Sequence, residues 1–590
     1  MKFVIDIMGS PYHVSGVTPR LFPSDKASAE YKALSVIAES LEHPQRTILS
    51  TFVRQAVDRE IASEFFLDKI SCRNKVTIQE FLADWIRLLQ NVRPVSCKEL
   101  EEPVRQSIWQ RDGGQCCISK VQVENHSNKD SPYVYILSPS LFEDGDMVTD
   151  GRLYKLLSAY IGKLQLENVR SLMGHESPSS VQDLSSQLVL LSPQIFEHFK
   201  NGRLSLQRSR LSAPEGSAQY LTTINNFIPA NQLELFRHIK LENRATELAS
   251  LPNAQLLDIH CRFADALAWL EVLEYMKQTC NMPYKSKTGN VGSTNKTARA
   301  TKRWSHWCLQ SVLSTAQLLW TQLPGSVRAF FYKRLASVAC RLYGYTGSDR
   351  TYRLPFNLYL RMARSNWLSK HQAEFQSLRL VEKHTQIPAP RAIDVLHYSD
   401  SSFLLMTGLP GVGIGRMLHI MTDEQLDVVV QDLKAYVAEL RQIPNQTNSE
   451  FQICNALGGG ILDWRIGESQ RKELTFRDET EFNQYLTHDL PLDKTAQEQI
   501  LKSHSVKHEI VFTHADLNMR NILVDENMKI SGIVDWECAG WYPEYWEYSK
   551  AHFTVRVTAR WIADVLDQVF LVYRDELQAE DLLASLVPPW

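Results

Sequence analysis

The C-terminal half of the sequence predicts an α+β fold with a small sheet-rich lobe and a larger helical lobe. Two observations predict it. Residues 351–409 form short apolar runs typical of strands, interrupted by one segment with helical spacing. Residues after 423 are mainly helical in pattern, and this order of strands, helix, strands and helices is typical of α+β proteins. A mixed α+β domain is expected before it, because residues 28–92 are helical in spacing and apolar runs follow.

Length and composition place the chain among globular proteins. Its 590 residues are 44% hydrophobic and 22% charged, which excludes a wholly disordered or collagen-like chain and implies more than one domain. The formal net charge of −3 argues against nucleic-acid binding over the whole surface. The ten cysteines are scattered without a CxxC pair, so we expect reduced thiols rather than a disulfide scaffold or a zinc ribbon.

Targeting signals are weak in this sequence. The first residues lack the long apolar run of a signal peptide, and no stretch approaches 18 apolar residues without charges. We therefore expect a cytoplasmic protein without a membrane partner. A nuclear location is the alternative, because residues 281–303 hold six basic residues and no acidic one.

The same segment, 281–303, divides the chain. It is rich in Gly, Ser, Thr and Asn and has no apolar period, so we interpret it as an exposed linker. The predicted organisation is a helical region, a compact domain, a helical segment, this linker and a C-terminal domain, with bounds 1–98, 99–210, 211–280, 281–303 and 304–590.

The C-terminal domain begins with a predicted helix over 304–342 that ends at Gly344. Its apolar residues form one stripe at helical spacing: Val327, Phe330, Phe331, Leu335, Val338 and Leu342. Two short strands around Pro355 are predicted for 351–362, followed by a helix over 363–385 and a strand over 403–409. A long amphipathic helix is predicted for 423–443.

The segment 510–537 carries the clearest chemical pattern. Asp516 and Asn521 are five residues apart, a predicted β-hairpin follows, and Asp535 stands at the end of its second strand. Phosphoryl transfer needs a carboxylate that accepts the proton of the attacking hydroxyl, and Asn and Asp oxygens suit Mg²⁺. The alternative is a chance Asp-x4-Asn spacing beside an ordinary hairpin.

The sequences HADLNMRNILV and IVDWE in this segment resemble the catalytic loop of the aminoglycoside phosphotransferase and choline kinase family, common in fungi, which has a protein-kinase-like fold of two lobes. The resemblance extends over roughly 318–590. It implies ATP and Mg²⁺ as cofactors, Asp516 as the catalytic base, and Asn521 and Asp535 as metal ligands. His514 would brace the loop.

The resemblance also implies nucleotide-binding residues in the small lobe. Arg361 stands where the family has a strand Lys that contacts the phosphates, and Glu374 matches the helix Glu that holds it. Lys370 is an alternative cation. Met406 is the predicted hinge residue, with an ordinary core Met as the alternative.

Aromatic residues with two acids follow the hairpin at 541–548. Glu544 and Glu547 beside these rings would suit a cationic or hydroxylated small-molecule acceptor. The favoured interpretation of the rings themselves is that most of them pack in the core.

The N-terminal half resembles a fungal HNH-nuclease domain over about 100–210. The matching positions are Arg111, Asp112, Gly113, Cys116, Ser192, Phe199 and Gly202. Tyr135 and Phe196 occupy the positions of nuclease histidines, and His198 is two residues late. We therefore expect a degenerate relative without nuclease activity or a nucleic-acid partner. An unrelated α+β domain is the alternative.

Together these patterns predict an ATP- and Mg²⁺-dependent kinase that phosphorylates a hydroxyl of a small molecule. The alternative function is a non-catalytic pseudokinase or binding scaffold, which the Arg in place of Lys favours. A protein kinase is disfavoured, because no recognisable activation segment follows Asp535.

Overall fold

The chain divides into two compact units, one ending at Pro283 and the other beginning at Tyr284. The boundary falls within the predicted linker 281–303, most of which lies outside the residues that the structure describes. The structure, a computed structural model, describes residues 25–71, 76–123, 132–173, 180–209, 217–228, 235, 238–244, 250–281, 317–344, 350–488, 490–552, 559–570 and 573–586.

The described part of the N-terminal unit begins with four helices, which confirms the helical prediction for residues 28–92. They are α1 (Ala29–Ser40), α2 (Gln45–Arg54), α3 (Arg59–Ile70) and α4 (Ile78–Val92). A capping box between Thr77 and Glu80 satisfies the first amides of α4. Trp85 of α4 is fully buried, and its ring packs edge-on against Phe52 of α2.

Two small sheets complete this unit. Its further elements are α5 (Glu102–Asp112), β1 (Tyr133–Tyr135), α6 (Arg152–Ile161), α7 (Lys163–Met173), α8 (Val181–Gln187), β2 (Leu188–Leu190), α9 (Pro193–Lys200), β3 (Leu204–Arg208), β4 (Ser217–Ile224), β5 (His238–Glu242) and α10 (Ala254–Asn281). β1 pairs antiparallel with β2, and β3, β4 and β5 form an antiparallel sheet in that order.

The prediction of a helical segment over 211–280 was wrong for its first part. β4 and β5 are strands, and only α10 is helical. Successive residues of β4 point to alternate faces of the sheet, and Tyr220 is the one residue of this strand that is buried. Pairing with β3 therefore outweighs the helical tendency of the sequence around β4.

The positions that suggested a nuclease domain serve packing in the described structure. Arg111 is fully buried and donates hydrogen bonds to the carbonyls of Ser185, Leu188 and Ser250. The Nδ1 atom of His198 lies 3.2 Å from a guanidinium nitrogen of Arg203. The resemblance to a nuclease domain stays a prediction.

The C-terminal unit begins with a small lobe. Its elements are α11 (Gly325–Tyr343), β6 (Thr351–Leu354), β7 (Leu358–Arg364), α12 (Leu368–His384), β8 (Ala392–Tyr398) and β9 (Ser401–Thr407). The strands form one antiparallel sheet in the order β6-β7-β9-β8. The strands around Pro355, the helix and the later strand confirm the predictions.

The orientation of α11 differs from what its apolar stripe suggests. The helix packs on the sheet through small residues, Tyr332 and the half-buried Leu335, while the other five stripe residues lie on the opposite, exposed side. Arg328 and the Tyr332 hydroxyl both donate to the carboxylate of Asp394 on β8, at 2.6–2.7 Å. This buried polar contact fixes which face of the helix meets the sheet. The part of the predicted helix over 304–316 lies outside the described residues.

The large lobe is mainly helical and holds two three-stranded sheets. Its elements are β10 (Val412–Gly413), α13 (Asp423–Arg441), β11 (Cys454–Asn455), α14 (Glu479–Thr487), α15 (Lys494–His504), β12 (Ile510–Thr513), β13 (Ile522–Val524), β14 (Ile530–Ile533), β15 (Gly540–Pro543), α16 (Trp546–His552), α17 (Ala559–Trp561), α18 (Asp567–Val569) and α19 (Arg574–Leu586). The sheets are β10-β13-β14 and β11-β15-β12.

These elements confirm the predicted helix over 423–443, the hairpin after residue 521 and the α+β class. None of the helices in the described ranges combines the length and apolarity needed to cross a bilayer.

A buried histidine connects three parts of the large lobe. The Nδ1 of His508, just before β12, donates to the carboxylate of Glu479 of α14 at 2.7 Å, and its Nε2 lies 3.4 Å from Glu576 of α19. Burial opposes the charged imidazole, but the hydrogen bonds and charges of the two carboxylates outweigh burial and raise its pKa to about 9.

We predict that His508 stabilises the fold most at acidic to neutral pH. Because its pKa is higher in the folded state, the stabilisation is complete below the unfolded pKa of about 6.5 and is lost as pH rises through about 9. His508→Gln should lower the free energy of unfolding by on the order of 2 kcal/mol at pH 6 and by much less at pH 10. Urea unfolding of both proteins at the two pH values measures this. An equal loss at both values would contradict it.

Candidate active site

The loop between β12 and β13 holds two of the predicted catalytic residues in fixed positions. His514 is fully buried. Its Nε2 donates to the carbonyl of Val534 at 3.1 Å, and its Nδ1 accepts the backbone N–H of Asp516 at 3.2 Å. Burial lowers the pKa of His514, so the neutral ring with its proton on Nε2 fits both contacts. His514 therefore braces the loop from both sides.

The carboxylate of Asp516 is held by two amide groups. Its Oδ1 accepts from Asn518 at 3.0 Å and its Oδ2 accepts from Asn521 at 2.9 Å. Burial raises the pKa of Asp516, and the charge of Asp535 adds to the rise, while Lys550 and Arg520 oppose it. A buried carboxylate with a raised pKa accepts a proton more readily than an ordinary aspartate.

Glu547 of α16 supports the loop between β12 and β13 through hydrogen bonds. This role was not predicted from the sequence. Its carboxylate accepts the backbone N–H groups of Ala515 and Leu517, both at 2.9 Å, on either side of Asp516. Ala515 has a φ of +58°, which non-glycine residues rarely adopt, so these bonds hold a strained backbone. The only signal of this role in the sequence is a Glu that follows the DWE motif at a short distance.

Asp535 lies beside Asn521 at the end of the hairpin. The N–H of Val534 donates to the carbonyl of Asn521 at 2.9 Å, which places the next residue, Asp535, near the Asn521 side chain. Asp535 has a φ of +71°, again a left-handed conformation that costs energy outside glycine. The structure thus brings Asp516, Asn521 and Asp535 to one end of the hairpin.

Arg361 of β7 lies among three carboxylates. It pairs with Glu374 of α12 at 3.3 Å and forms short ion pairs with Asp535 and Glu537. We call these four side chains the Arg361 cluster. Sequence reasoning predicted the partnership with Glu374, but not the contacts with Asp535 and Glu537. Glu537, two residues after Asp535, was part of the motif without an assigned role.

The members of the Arg361 cluster shift one another's pKa values. Burial opposes the charge of Arg361, but its three acidic neighbours outweigh burial and raise its pKa, so it stays charged. Burial raises the pKa of Glu374 and Glu537, whereas the guanidinium lowers the pKa of Asp535 against the effect of burial. Burial therefore favours the neutral forms of Glu374 and Glu537, and Asp535 is the carboxylate that the guanidinium keeps ionised.

This donor set fits a magnesium ion that also binds phosphates. Within the described ranges, no group of three or more His, Cys, Asp or Glu side chains is arranged to hold a metal ion alone. Mg²⁺ usually takes only one or two protein carboxylates and completes its shell with phosphate and water oxygens. Glu374 lies 3.3 Å from Arg361, but neither of its buried oxygens makes a hydrogen bond, so the site has room for a further polar partner.

The structure places the three nucleotide-site candidates as follows. Met406 lies inside β9, paired with Tyr359 on one side and Ala392 on the other, and its side chain is buried in the core. Lys370 is bound to backbone carbonyls of the large lobe. Arg361 contacts carboxylates of both lobes. The roles of these residues in nucleotide binding stay predictions.

The acidic residues predicted to face a cationic acceptor are engaged elsewhere. Glu544 contacts Arg441 at 3.4 Å and the Tyr573 hydroxyl at 2.9 Å, and Glu547 holds the catalytic loop. The nearby aromatic residues are buried, as favoured from the sequence: Trp541, Tyr542, Tyr545, Trp546 and Tyr548.

A buried ion pair lies on the same helix as Glu547. Lys550 donates to Asp463 at 2.6 Å, and the Trp546 indole donates to the other oxygen of Asp463 at 2.8 Å. Glu547 and Lys550 are three residues apart on α16 and therefore share a face. This pair ties the loop at Asp463 to the helix that supports Asp516.

Comparison with known proteins agrees with this geometry. Residues 346–581 match the model of a family described as the phosphotransferase enzyme family. The match covers about two-fifths of the chain and most of the C-terminal unit. The matched range includes the strands β6 to β15 and the loop that holds Asp516.

Solved structures give weaker similarities. A thermostable mutant of aminoglycoside phosphotransferase APH(4)-Ia is 15% identical, with a TM-score of 0.29, over 42% of this chain and 89% of that one. A macrolide 2'-phosphotransferase from Brachybacterium faecium is 16% identical, with a TM-score of 0.27, over 44% and 90%. No curated protein matches the chain. These similarities are too low to transfer a substrate to this protein.

We predict that Glu547 controls the position of Asp516. Glu547→Gln would replace an acceptor oxygen with an amide that cannot accept from Ala515 or Leu517, which should cost about 1–3 kcal/mol of unfolding free energy. Phosphate transfer should fall by on the order of 10²-fold in kcat with an unchanged KM for ATP, because the base is displaced. Steady-state kinetics and thermal unfolding measure both effects.

Glu544→Gln is the matched control, because Glu544 lies three residues earlier and contacts Arg441 rather than the loop. Equal losses in both variants would contradict a specific role of Glu547.

Proposed function

We propose that the C-terminal unit transfers the γ-phosphoryl group of ATP to a hydroxyl of a small molecule in an Mg²⁺-dependent reaction. The observation that carries the proposal is the carboxylate of Asp516, held by the amides of Asn518 and Asn521 on a loop that Glu547 and His514 brace. A fixed carboxylate beside further oxygen ligands is what positioning an attacking hydroxyl requires.

The chemical step follows from this arrangement. The acceptor oxygen forms a new bond to the γ-phosphorus, and the bond between that phosphorus and the β–γ bridging oxygen breaks. Its electron pair leaves on ADP. Asp516 accepts the proton of the acceptor hydroxyl as the O–P bond forms, so charge does not build up on that oxygen.

Asn521 and Asp535 are the residues that would hold Mg²⁺. When bound, this ion offsets negative charge on the β- and γ-phosphates. The position of both residues at one end of the hairpin supports this assignment, because amide and carboxylate oxygens suit Mg²⁺. Arg361 would stay anchored on Glu374 and turn a free N–H toward the nucleotide phosphates, since a guanidinium carries five donors.

The acceptor is proposed to be a hydroxylated small molecule. A cationic acceptor loses support, because neither Glu544 nor Glu547 has a free carboxylate for it. We further propose that the C-terminal domain begins near residue 304. We also propose that the N-terminal unit is a binding domain without nuclease chemistry and that the protein acts in the cytoplasm.

The second candidate function is a pseudokinase or binding scaffold. It is favoured by the ion pair between Arg361 and Asp535, because a carboxylate occupied by a guanidinium is less available to a metal ion. The two candidates differ in whether ATP is turned over.

We predict that Asp516→Asn lowers kcat for phosphate transfer by roughly 10²–10⁴-fold while ATP binding persists, because only the proton acceptor is removed. An assay of ATP turnover with hydroxylated acceptors measures this. Asp525→Asn, an exposed change in the turn of the same hairpin, is the control and should leave kcat unchanged. Folded protein that binds ATP without turnover over a broad set of sugars, polyols and alcohols would support the scaffold and contradict the kinase.

We predict that Arg361→Lys strengthens Mg²⁺-dependent ATP binding, because a single ammonium on Glu374 cannot also hold Asp535 and Glu537. Titration of ATP with and without MgCl₂ measures the change. Arg353→Lys on the neighbouring strand β6 is the control, since its exposed side chain lies outside the Arg361 cluster. Weaker Mg²⁺-dependent binding in Arg361→Lys would show that the guanidinium itself binds the nucleotide.

A further inference from the structure

An apolar face of α11 lies uncovered in the described structure. The stripe residues Val327, Phe330, Phe331, Val338 and Leu342 are all exposed, with 56% of Phe330 and 64% of Leu342 accessible. Large side chains gathered on one exposed helix face are unusual in a soluble domain and mark an interaction surface. We call these five residues the α11 stripe.

The α11 stripe faces away from the small-lobe sheet because of the helical spacing of its residues. The buried residues Ala329, Tyr332, Ala336 and Ala339 lie on the opposite side and meet the small-lobe sheet. Since Arg328 and Tyr332 are fixed on Asp394, the helix cannot rotate to bury the stripe without breaking these buried contacts. A partner must therefore come to the stripe.

The charges around the stripe are of one sign. Lys333, Arg334 and Arg341 are exposed, and none of the three pairs with a carboxylate among the described residues. The guanidinium of Arg334 lies over the Phe330 ring, 5.4 Å from its centre, so this cation directly borders the apolar face. No acidic residue occurs anywhere in the sequence between Glu274 and Asp349, whereas 11 basic residues do.

We propose that the α11 stripe docks on a membrane surface rich in anionic lipids. A helix with Phe, Leu and Val on one face and unpaired Lys and Arg around it lies in the lipid headgroup region, with the apolar side chains inserted. The absence of a membrane-spanning segment does not oppose this, because such a helix lies on the bilayer rather than crossing it. The sequence-based expectation of no membrane partner rests only on the lack of a segment that could span a bilayer.

A second copy of this chain fits the stripe less well. Two copies meeting through the stripe would bring Arg334 and Arg341 of both close together without an acid on α11 to pair them, and like charges at an interface cost affinity. An anionic lipid surface offers an opposite charge to each of these side chains.

The test is flotation of the purified full chain with vesicles of 30% phosphatidylserine in phosphatidylcholine, beside vesicles of phosphatidylcholine alone. We expect binding to the anionic vesicles only. Arg334→Gln with Arg341→Gln should weaken the partition coefficient by roughly fivefold for each charge removed. Phe330→Ser with Leu342→Ser should weaken it by roughly tenfold or more, since inserted apolar area is lost.

Leu501→Ser is the matched control, because Leu501 is also exposed, at 66%, but lies on α15 and does not belong to the α11 stripe. Hydrogen exchange of the unmodified protein gives a second measurement that needs no variant, and anionic vesicles should protect peptides covering 325–343.

Failure of the full chain to float with anionic vesicles would overturn the proposal. So would flotation that the stripe variants leave unchanged, because the basic segment 281–303 would then be the lipid contact. Concentration-dependent dimerisation lost in Phe330→Ser with Leu342→Ser, without lipid binding, would instead make the stripe an interface between copies. None of these outcomes depends on phosphate transfer.

Discussion

The Arg361 cluster is the interaction on which the rest of the candidate site depends. One guanidinium on β7 connects Glu374 of α12 in the small lobe with Asp535 and Glu537 in the large lobe. Glu374 is buried and Arg361 and Glu537 are mostly buried, so removing the guanidinium would leave buried acids without their charge partner. The relative position of the two lobes at the hairpin therefore depends on electrostatics as well as on packing.

The same cluster bears both on the stability of the site and on its ability to bind a metal ion. Three carboxyl groups meet one guanidinium there, and carboxylate oxygens are ligands that Mg²⁺ takes together with phosphate oxygens. Asp516 lies outside this cluster, on a loop whose backbone bonds to Glu547 and His514 hold it independently of the nucleotide. Proton acceptance and nucleotide binding are thus supported by different contacts.

Local patterns predicted much of the fold and of the site. The spacing of Asp516, Asn521 and Asp535 around a hairpin was visible because those contacts lie within twenty residues, and a turn sequence sets their register. Contacts between distant segments were not visible. Arg361 and Asp535 are 174 residues apart, and nothing local to either shows that they meet.

Patterns that depend on orientation were also hidden. The apolar stripe of α11 has the spacing of a core-facing helix, yet Arg328 and Tyr332 turn it outward by binding Asp394, which lies more than sixty residues later. Glu547 looked like a residue for a cationic acceptor because its neighbours are aromatic. Its actual partners are backbone N–H groups, which no side-chain pattern reveals.

The central claim is that the buried carboxylates at the end of the hairpin form a magnesium–nucleotide site. Calorimetric titration of the full chain with ATP, in the presence of MgCl₂ and in the presence of EDTA, tests it most directly. The account predicts binding of one ATP per chain that is at least tenfold tighter with Mg²⁺, and loss of that difference in Asp535→Asn. Binding of equal strength in both conditions, or no binding by folded protein, would contradict it.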